Sequence, residues 1–293
     1  MKISAWTAIA AFLTGLGTGY LLRQQPAAPA PPESPDMSMD QQAVWANQRQ
    51  MLTQQQTLLS ELRELRSATQ AHYQGLFAEL EQNYRQLEAL IALHGQLDFV
   101  AALPPMRAWA ISPDFATVLL TLVRRQRPQV VLELGAGVST LIIAYALKEL
   151  GSGRVIAIDH LEAHASLIGA QLEQHGVADV AEVIHAPLQP IEINGQQWQW
   201  YAQDALTDVT RVSLLVVDGP PQYNSPHGLV RYPAMPLLWE RLAPDALIML
   251  DDIKRTDEAE ILQRWLAEYA LEPLQRFETE RGAALLRRRS PDG

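Results

Sequence analysis

The chain has 293 residues and a formal net charge of −10, long enough for one full α/β domain plus additional segments. Residues 96–293 carry 17 basic and 25 acidic groups, so they supply most of that charge and present no concentrated basic face to nucleic acid. Cysteine is absent, which excludes disulfides, thiolate catalysis and cysteine metal sites.

In chain order, residues 5–22 form an uncharged apolar stretch between Lys2 and Arg23, with Trp6 and Tyr20 near its ends. A helix of that length rises about 27 Å, close to the hydrocarbon thickness of about 30 Å. A cleaved signal peptide is the competing reading. The run is longer than a typical signal core of about 7–15 residues, which favours an uncleaved membrane anchor over 1–24. Residues 25–40 follow as a Pro/Ala-rich spacer.

Over 41–96 the composition turns to Gln, Glu, Arg and Leu without proline. Counting in 3-4 spacing from Leu52 to Leu90 gives twelve positions, of which eight are Leu or Tyr (Leu52, Leu59, Leu62, Tyr73, Leu76, Leu80, Leu87, Leu90). This predicts a long coiled-coil helix that joins two or more copies, with Asn83 fixing register in the seam. A single helix lying against the C-terminal domain is the alternative.

Residues 97–293 alternate apolar strand-like runs with helical patterns, which predicts a parallel sheet covered by helices. Ser112-Pro113-Asp114 reads as a serine-capped helix start, with the helix running to about Arg125. Strands are expected at 130–134, 154–158, 181–185, 212–217 and 246–250, with helices at 140–150, 161–175, 233–242 and 257–268. A hairpin of 273–279 and 283–288 around Arg281-Gly282 closes the chain. Trp198, Trp200 and Tyr201 are expected to pack on the sheet edge, with an acceptor-facing aromatic wall as the alternative.

The most informative segment is 130–140, a buried strand entering the glycine turn Gly135-Ala136-Gly137 and then a helix. A dinucleotide fingerprint needs glycine at position 140, where this chain has Thr140. What remains, Glu133-x-Gly135-x-Gly137-x-Ser139, resembles motif I of the class I S-adenosylmethionine-dependent methyltransferases. That resemblance implies a Rossmann-like, mostly parallel sheet whose last strand is antiparallel. Asp159 ends the second strand, 22 residues after Gly137, where an acid accepts hydrogen bonds from two ribose hydroxyls. The cofactor site is therefore expected from Glu133, Gly135, Ala136, Gly137, Ser139, Asp159, His160, Ala186 and Asp218, with Ala186 where relatives pack the adenine. Taken singly, Glu133 reads equally well as a helix-capping acid and Asp159 as a turn residue.

Beyond motif I, the set Asp218-Gly219-Pro220-Pro221, Arg231-Tyr232-Pro233-Ala234, Leu250-Asp251-Asp252-Ile253 and Arg255-x-x-Glu258 is similar to one bacterial group of class I methyltransferases. Asp218 stands as the residue nearest the acceptor, with Asp251 and Arg231 as further catalytic candidates and His227 in the same loop. Acids after the fourth and fifth strands also resemble O-methyltransferases in which a divalent ion binds the acceptor hydroxyls. This makes Asp218, Asp251 and Asp252 candidate Mg²⁺ ligands. The competing reading is that Asp252 caps the next helix and Asp251 lies in a solvated turn.

The resemblance thus implies O-methylation of a small-molecule or glycan-like acceptor near a membrane. The expected location is single-pass in a bacterial inner membrane with the catalytic domain cytoplasmic. A membrane-anchored coiled-coil scaffold that binds cofactor without catalysis is the alternative.

Overall fold

The structure, a computed structural model, describes residues 38–222 and 228–290. The expected anchor at 5–22, the proline-rich stretch 26–36 and His227 lie outside those residues. Among the described residues no helix is long and apolar enough to cross a membrane.

The described residues divide into two compact units between Ala78 and Glu79, so the boundary falls inside the first described helix rather than at its end. That helix, α1, runs Met39–His94 as one piece of 56 residues. Of its exposed apolar residues, Leu58, Leu62, Leu65, Tyr73, Leu76, Leu80, Tyr84, Leu87 and Ile91, together with Thr69, follow 3-4-4 spacing, and Met51, Leu52 and Phe77 are exposed outside that stripe. That is an eleven-residue repeat of about 3.67 residues per turn, which stays in phase with a nearly straight helix.

Within the second unit the last turns of α1 use another face. Leu93 and Leu97 are buried with Phe115 and Leu119, each such burial contributing about 1.5–3 kcal/mol. Gln86 Nε2 donates to Asp114 Oδ2 at 2.8 Å, and Gln86 Oε1 accepts from the Asp114 N–H at 3.2 Å. Asn83, expected in a seam, instead accepts from Arg107 Nη1 at 2.7 Å. Leu87, also expected there, is exposed on the eleven-residue stripe.

The α/β body follows as α2 (Pro113–Gln126), β1 (Val130–Leu134), α3 (Val138–Leu150), β2 (Arg154–Asp159), α4 (Glu162–Gln174), β3 (Ala181–His185), β4 (Leu188–Ile193), β5 (Gln196–Tyr201), β6 (Val212–Val217), α5 (Ala234–Leu238), β7 (Leu242–Asp251), α6 (Thr256–Glu268), β8 (Leu271–Phe277) and β9 (Ala283–Arg288). Seven strands form one sheet in the order β3-β2-β1-β6-β7-β9-β8, with β9 alone antiparallel to its neighbours. Side chains of β1 alternate between two cores: Leu132 and Leu134 join one, Val131 the other, as period-two geometry requires. The order reverses between β1 and β6, which opens a crevice at their carboxyl ends.

Two local expectations are corrected. Ser112 makes no side-chain cap; its hydroxyl donates to Asp114 Oδ1 at 2.6 Å, and that oxygen accepts the Phe115 N–H at 2.8 Å. The helix expected at 233–242 stops at Leu238 and a short 3₁₀ turn, because Leu242 is already paired with Val212. Trp198, Trp200 and Tyr201 do pack on the main sheet, in one buried cluster with Leu132, Ile156 and Leu215, and they come from a hairpin of β4 and β5 that forms its own two-stranded sheet. Its turn, Asn194-Gly195, has both residues at positive φ (53° and 76°), the two-residue turn that Asn-Gly favours.

Candidate functional site

The glycine turn leaves β1 at the switch point. Gly135 has φ +94°, and a Cβ there would lie 3.4 Å from the carbonyl carbon and oxygen of Asp218 and the nitrogen of Gly219. That is ordinary contact distance, so it is the left-handed backbone that favours glycine at this strand end. The Gly135 N–H donates to Ile158 O and the Asp218 N–H to Leu134 O, so the ends of β2, β1 and β6 are stitched together. Gly137 N–H donates to Thr140 Oγ1 at 3.0 Å, and that hydroxyl donates to Glu133 Oε2 at 2.5 Å. Glu133 therefore holds the turn through Thr140 rather than by contacting its N–H groups. Burial pushes the Glu133 carboxyl up to about 8, against the hydrogen bonds from Ser139 and Thr140. Its Oε1 is buried without a hydrogen bond. Ala136 packs on Ala157 and Ile168 behind the turn.

Asp159 ends β2. Its Oδ1 accepts the Leu161 N–H at 2.8 Å, and its Oδ2 lies 2.9 Å from His164 Nδ1. Burial alone would raise this carboxyl; the hydrogen bonds from His164 and Leu161 outweigh it and hold it below the usual range. His160 Nδ1 lies 3.5 Å from Asp159 Oδ1, and burial lowers its pKa. Ala186 is fully buried, and its N–H donates to Asp159 O at 2.8 Å.

The ends of β6 and β7 bring Asp218, Asp251 and Asp252 together, with ligand-type oxygens within 4.8 Å of one another. Arg231 sits among them. Its Nη2 donates to Asp218 Oδ1 (3.0 Å), Asp218 O (2.9 Å) and Asp252 Oδ2 (2.9 Å), and its Nη1 to Asp251 O (3.2 Å). Glu258 Oε1 lies 3.7 Å from Arg231 Nε. Arg255 Nη1 reaches Asp252 Oδ2 at 2.9 Å, and Arg281 Nη1 faces Asp252 Oδ1 at 3.7 Å. Arg231 is thus a buried anchor, not the acceptor-facing or lid residue the sequence suggested. Asp251 and Asp252 are buried as well, not turn residues in solvent.

Burial pushes Asp218 up to about 6, with Arg231 pulling the other way. Asp251 is driven well above the carboxylate range by burial and by the neighbouring Asp218 and Asp252. Burial opposes the charge on Arg231, but Asp218, Asp252, Glu258 and Asp251 outweigh it and hold that charge firmly.

At this edge the sequence named Tyr201 without giving its hydroxyl a role, and it passed over His164. Tyr201 is buried with its hydroxyl unbonded, and a Cβ added to Gly219 would lie 2.3 Å from that oxygen and 3.1 Å from Gly135 Cα. The hydroxyl therefore abuts the junction of the glycine turn and the β6 end. The signal for it was the Asn194-Gly195 turn, which delivers β5 to the crevice. His164 was missed because its link to Asp159 spans a strand end and the first turn of α4.

Residues 132–253 match a family model described as a methyltransferase domain. Among solved structures, the SAH-bound methyltransferase PaMTH1 of Podospora anserina is similar with a TM-score of 0.50 at 12% identity, over 70% of this chain and 88% of that one. The O-methyltransferase from Bacillus cereus in complex with SAH gives 0.48 at 19% identity, over 70% and 90%. Cofactor-bound Rv0187 from MTB gives 0.49 at 20% identity, over 72% and 90%. No curated protein matches the chain. The sequence match covers the strands from β1 to β7, and the similarity to the Podospora anserina structure is one of fold.

Proposed function

We propose that the chain is an S-adenosylmethionine-dependent methyltransferase acting on oxygen of a small-molecule or glycan-like acceptor. The observation that carries this reading is the convergence of Gly135, Asp159 and Asp218 at the carboxyl ends of β1, β2 and β6, around the switch point. The residues suit that cofactor. A bare backbone at Gly135 permits close approach. Asp159, ionised and oriented by His164 and Leu161, suits a ribose diol. The unbonded Glu133 Oε1 and Tyr201 hydroxyl are buried polar groups that a ligand at this edge would satisfy.

When bound, S-adenosylmethionine supplies a methyl group on a sulfonium for in-line displacement. This chain's part is to orient the acceptor and take its proton. Asp218 is the member of the carboxylate cluster with the most exposed side chain (14%), and its pKa of about 6 leaves it ionised at neutral pH, fit to accept a hydroxyl proton. Arg231 fixes that carboxylate by Oδ1.

The proposal extends to the rest of the chain. The apolar run at 5–22 would tether the enzyme to a bacterial inner membrane, with the catalytic domain cytoplasmic. The exposed stripe of α1 would join it to a second copy.

Incubating the purified chain with a methyl-labelled donor and lipid, glycan or phenolic extracts tests the reaction. Label should pass to an acceptor, and Asp218→Asn should lower the rate by about 10²–10⁴. Transfer at full rate by a folded Asp218→Asn would refute the role given to that residue.

A further inference from the structure

Three carboxylates with oxygens within 4.8 Å of one another have the size of a divalent-ion site. In this chain the space among them already holds a cation. The same guanidinium nitrogen, Arg231 Nη2, hydrogen-bonds Asp218 Oδ1 and Asp252 Oδ2, while Nη1 takes the Asp251 carbonyl. We infer that Arg231 is the built-in cation of the acceptor site, filling the position that a divalent ion would need between Asp218, Asp251 and Asp252, and that the site works without a metal.

Two further observations carry the inference. Asp252 is surrounded by guanidinium groups: Oδ2 pairs with Arg231 and Arg255 at 2.9 Å each, and Oδ1, which accepts no hydrogen bond, faces Arg281 at 3.7 Å. Three guanidinium groups therefore converge on one candidate ligand, and a dication would have to enter against their charge. Second, Arg231, Asp251 and Asp252 are 3%, 2% and 1% exposed. Mg²⁺ demands near-octahedral geometry and keeps several of its waters, and of the three carboxylates only Asp218, with 14% of its side chain exposed, borders solvent that could supply them. The unbonded oxygens Asp251 Oδ1 and Asp252 Oδ1 do not alter this, since both belong to residues closed off from solvent.

The inference deepens the methyl-transfer reading and takes its catalytic meaning from it. Without a metal to lower the acceptor's pKa, proton removal falls to Asp218, and Arg231 is a positioning residue that acts through that carboxylate. The arginine also keeps the acidic strand ends together, so its loss would expose uncompensated buried carboxylates to one another.

Mn²⁺ titration of the purified full chain, read by electron paramagnetic resonance of the free ion, tests the claim. The wild-type chain should bind no Mn²⁺ up to millimolar concentration, and Arg231→Met should gain one site together with a rise in melting temperature on adding Mn²⁺. Saturable binding by the wild type that is lost in Asp252→Asn would overturn the inference, and this holds even if Arg231→Met does not fold. A folded Arg231→Met that ignores Mn²⁺ would also overturn it, since the guanidinium would not be what excludes the ion. S-adenosylmethionine binding, measured on the same wild-type sample by calorimetry, reports separately on the methyltransferase reading.

Discussion

His164 Nδ1 lies 2.9 Å from Asp159 Oδ2, a link from the first turn of α4 back to the last residue of β2. The contact raises the pKa of the imidazole and, with the Leu161 N–H, keeps Asp159 ionised at the mouth of the crevice. If Asp159 receives the ribose, Asp159→Ala should weaken S-adenosylmethionine binding by about 10–100-fold, the cost of losing hydrogen bonds to a charged group. His164→Ala, which only frees the carboxylate to rotate, should cost less. Calorimetry on both variants checks this; equal losses would mean that His164 itself contacts the ligand.

The Tyr201 hydroxyl and the Gly219 backbone are packed too closely for any side chain at 219. Gly219→Ala should destabilise the fold by about 1–3 kcal/mol through overpacking. Adding Tyr201→Phe removes the oxygen nearest the new methyl and should restore part of the loss. Denaturant unfolding of the single and double variants measures it, and additive losses would contradict the packing described.

Glu133 links stability to pH. Burial pushes its carboxyl from an ordinary 4.5 up to about 8. Between those values the folded chain holds a proton that the unfolded chain has released. The contribution is therefore complete below 4.5 and is lost as pH rises through 8. Glu133→Gln keeps an acceptor for Thr140 and stays neutral, so it should flatten this decline. Melting temperatures from acid to mildly alkaline pH should show variant and wild type diverging upward; parallel profiles would contradict the buried, protonated Glu133.

The exposed stripe on α1 predicts self-association. Leu76→Asp with Leu80→Asp places two charges in its middle and should convert a dimeric chain to a monomer by light scattering, with cofactor binding retained. A wild-type monomer would remove the proposed role of the helix.

The sequence reading succeeded where one local pattern dictated the structure. The run Val130–Leu134 entering Gly135 could only be a buried strand meeting a turn, and Asp159 and Asp218 followed as strand-end residues. It failed where partners distant in sequence decide. Arg231 reads as a loop arginine, and only the folded sheet brings it among Asp218, Asp251 and Asp252. Leu242 was drawn from helix to strand by its pairing with Val212, which no local pattern announces. On α1, Leu62, Tyr73, Leu76, Leu80 and Leu87 of the seven-residue count lie on the exposed stripe, while Asn83 is taken by Arg107, a partner that no helical spacing announces. The β4–β5 hairpin is a different case: Asn194-Gly195 announces it, and the aromatic residues drew attention away from the turn.

The central claim is that the β1–β2–β6 edge is an S-adenosylmethionine site. Isothermal titration of the purified chain with S-adenosylmethionine tests it most directly. One site per chain with micromolar affinity, weakened in Asp159→Ala, is the expected result. Absence of heat at millimolar cofactor from a folded protein would contradict it.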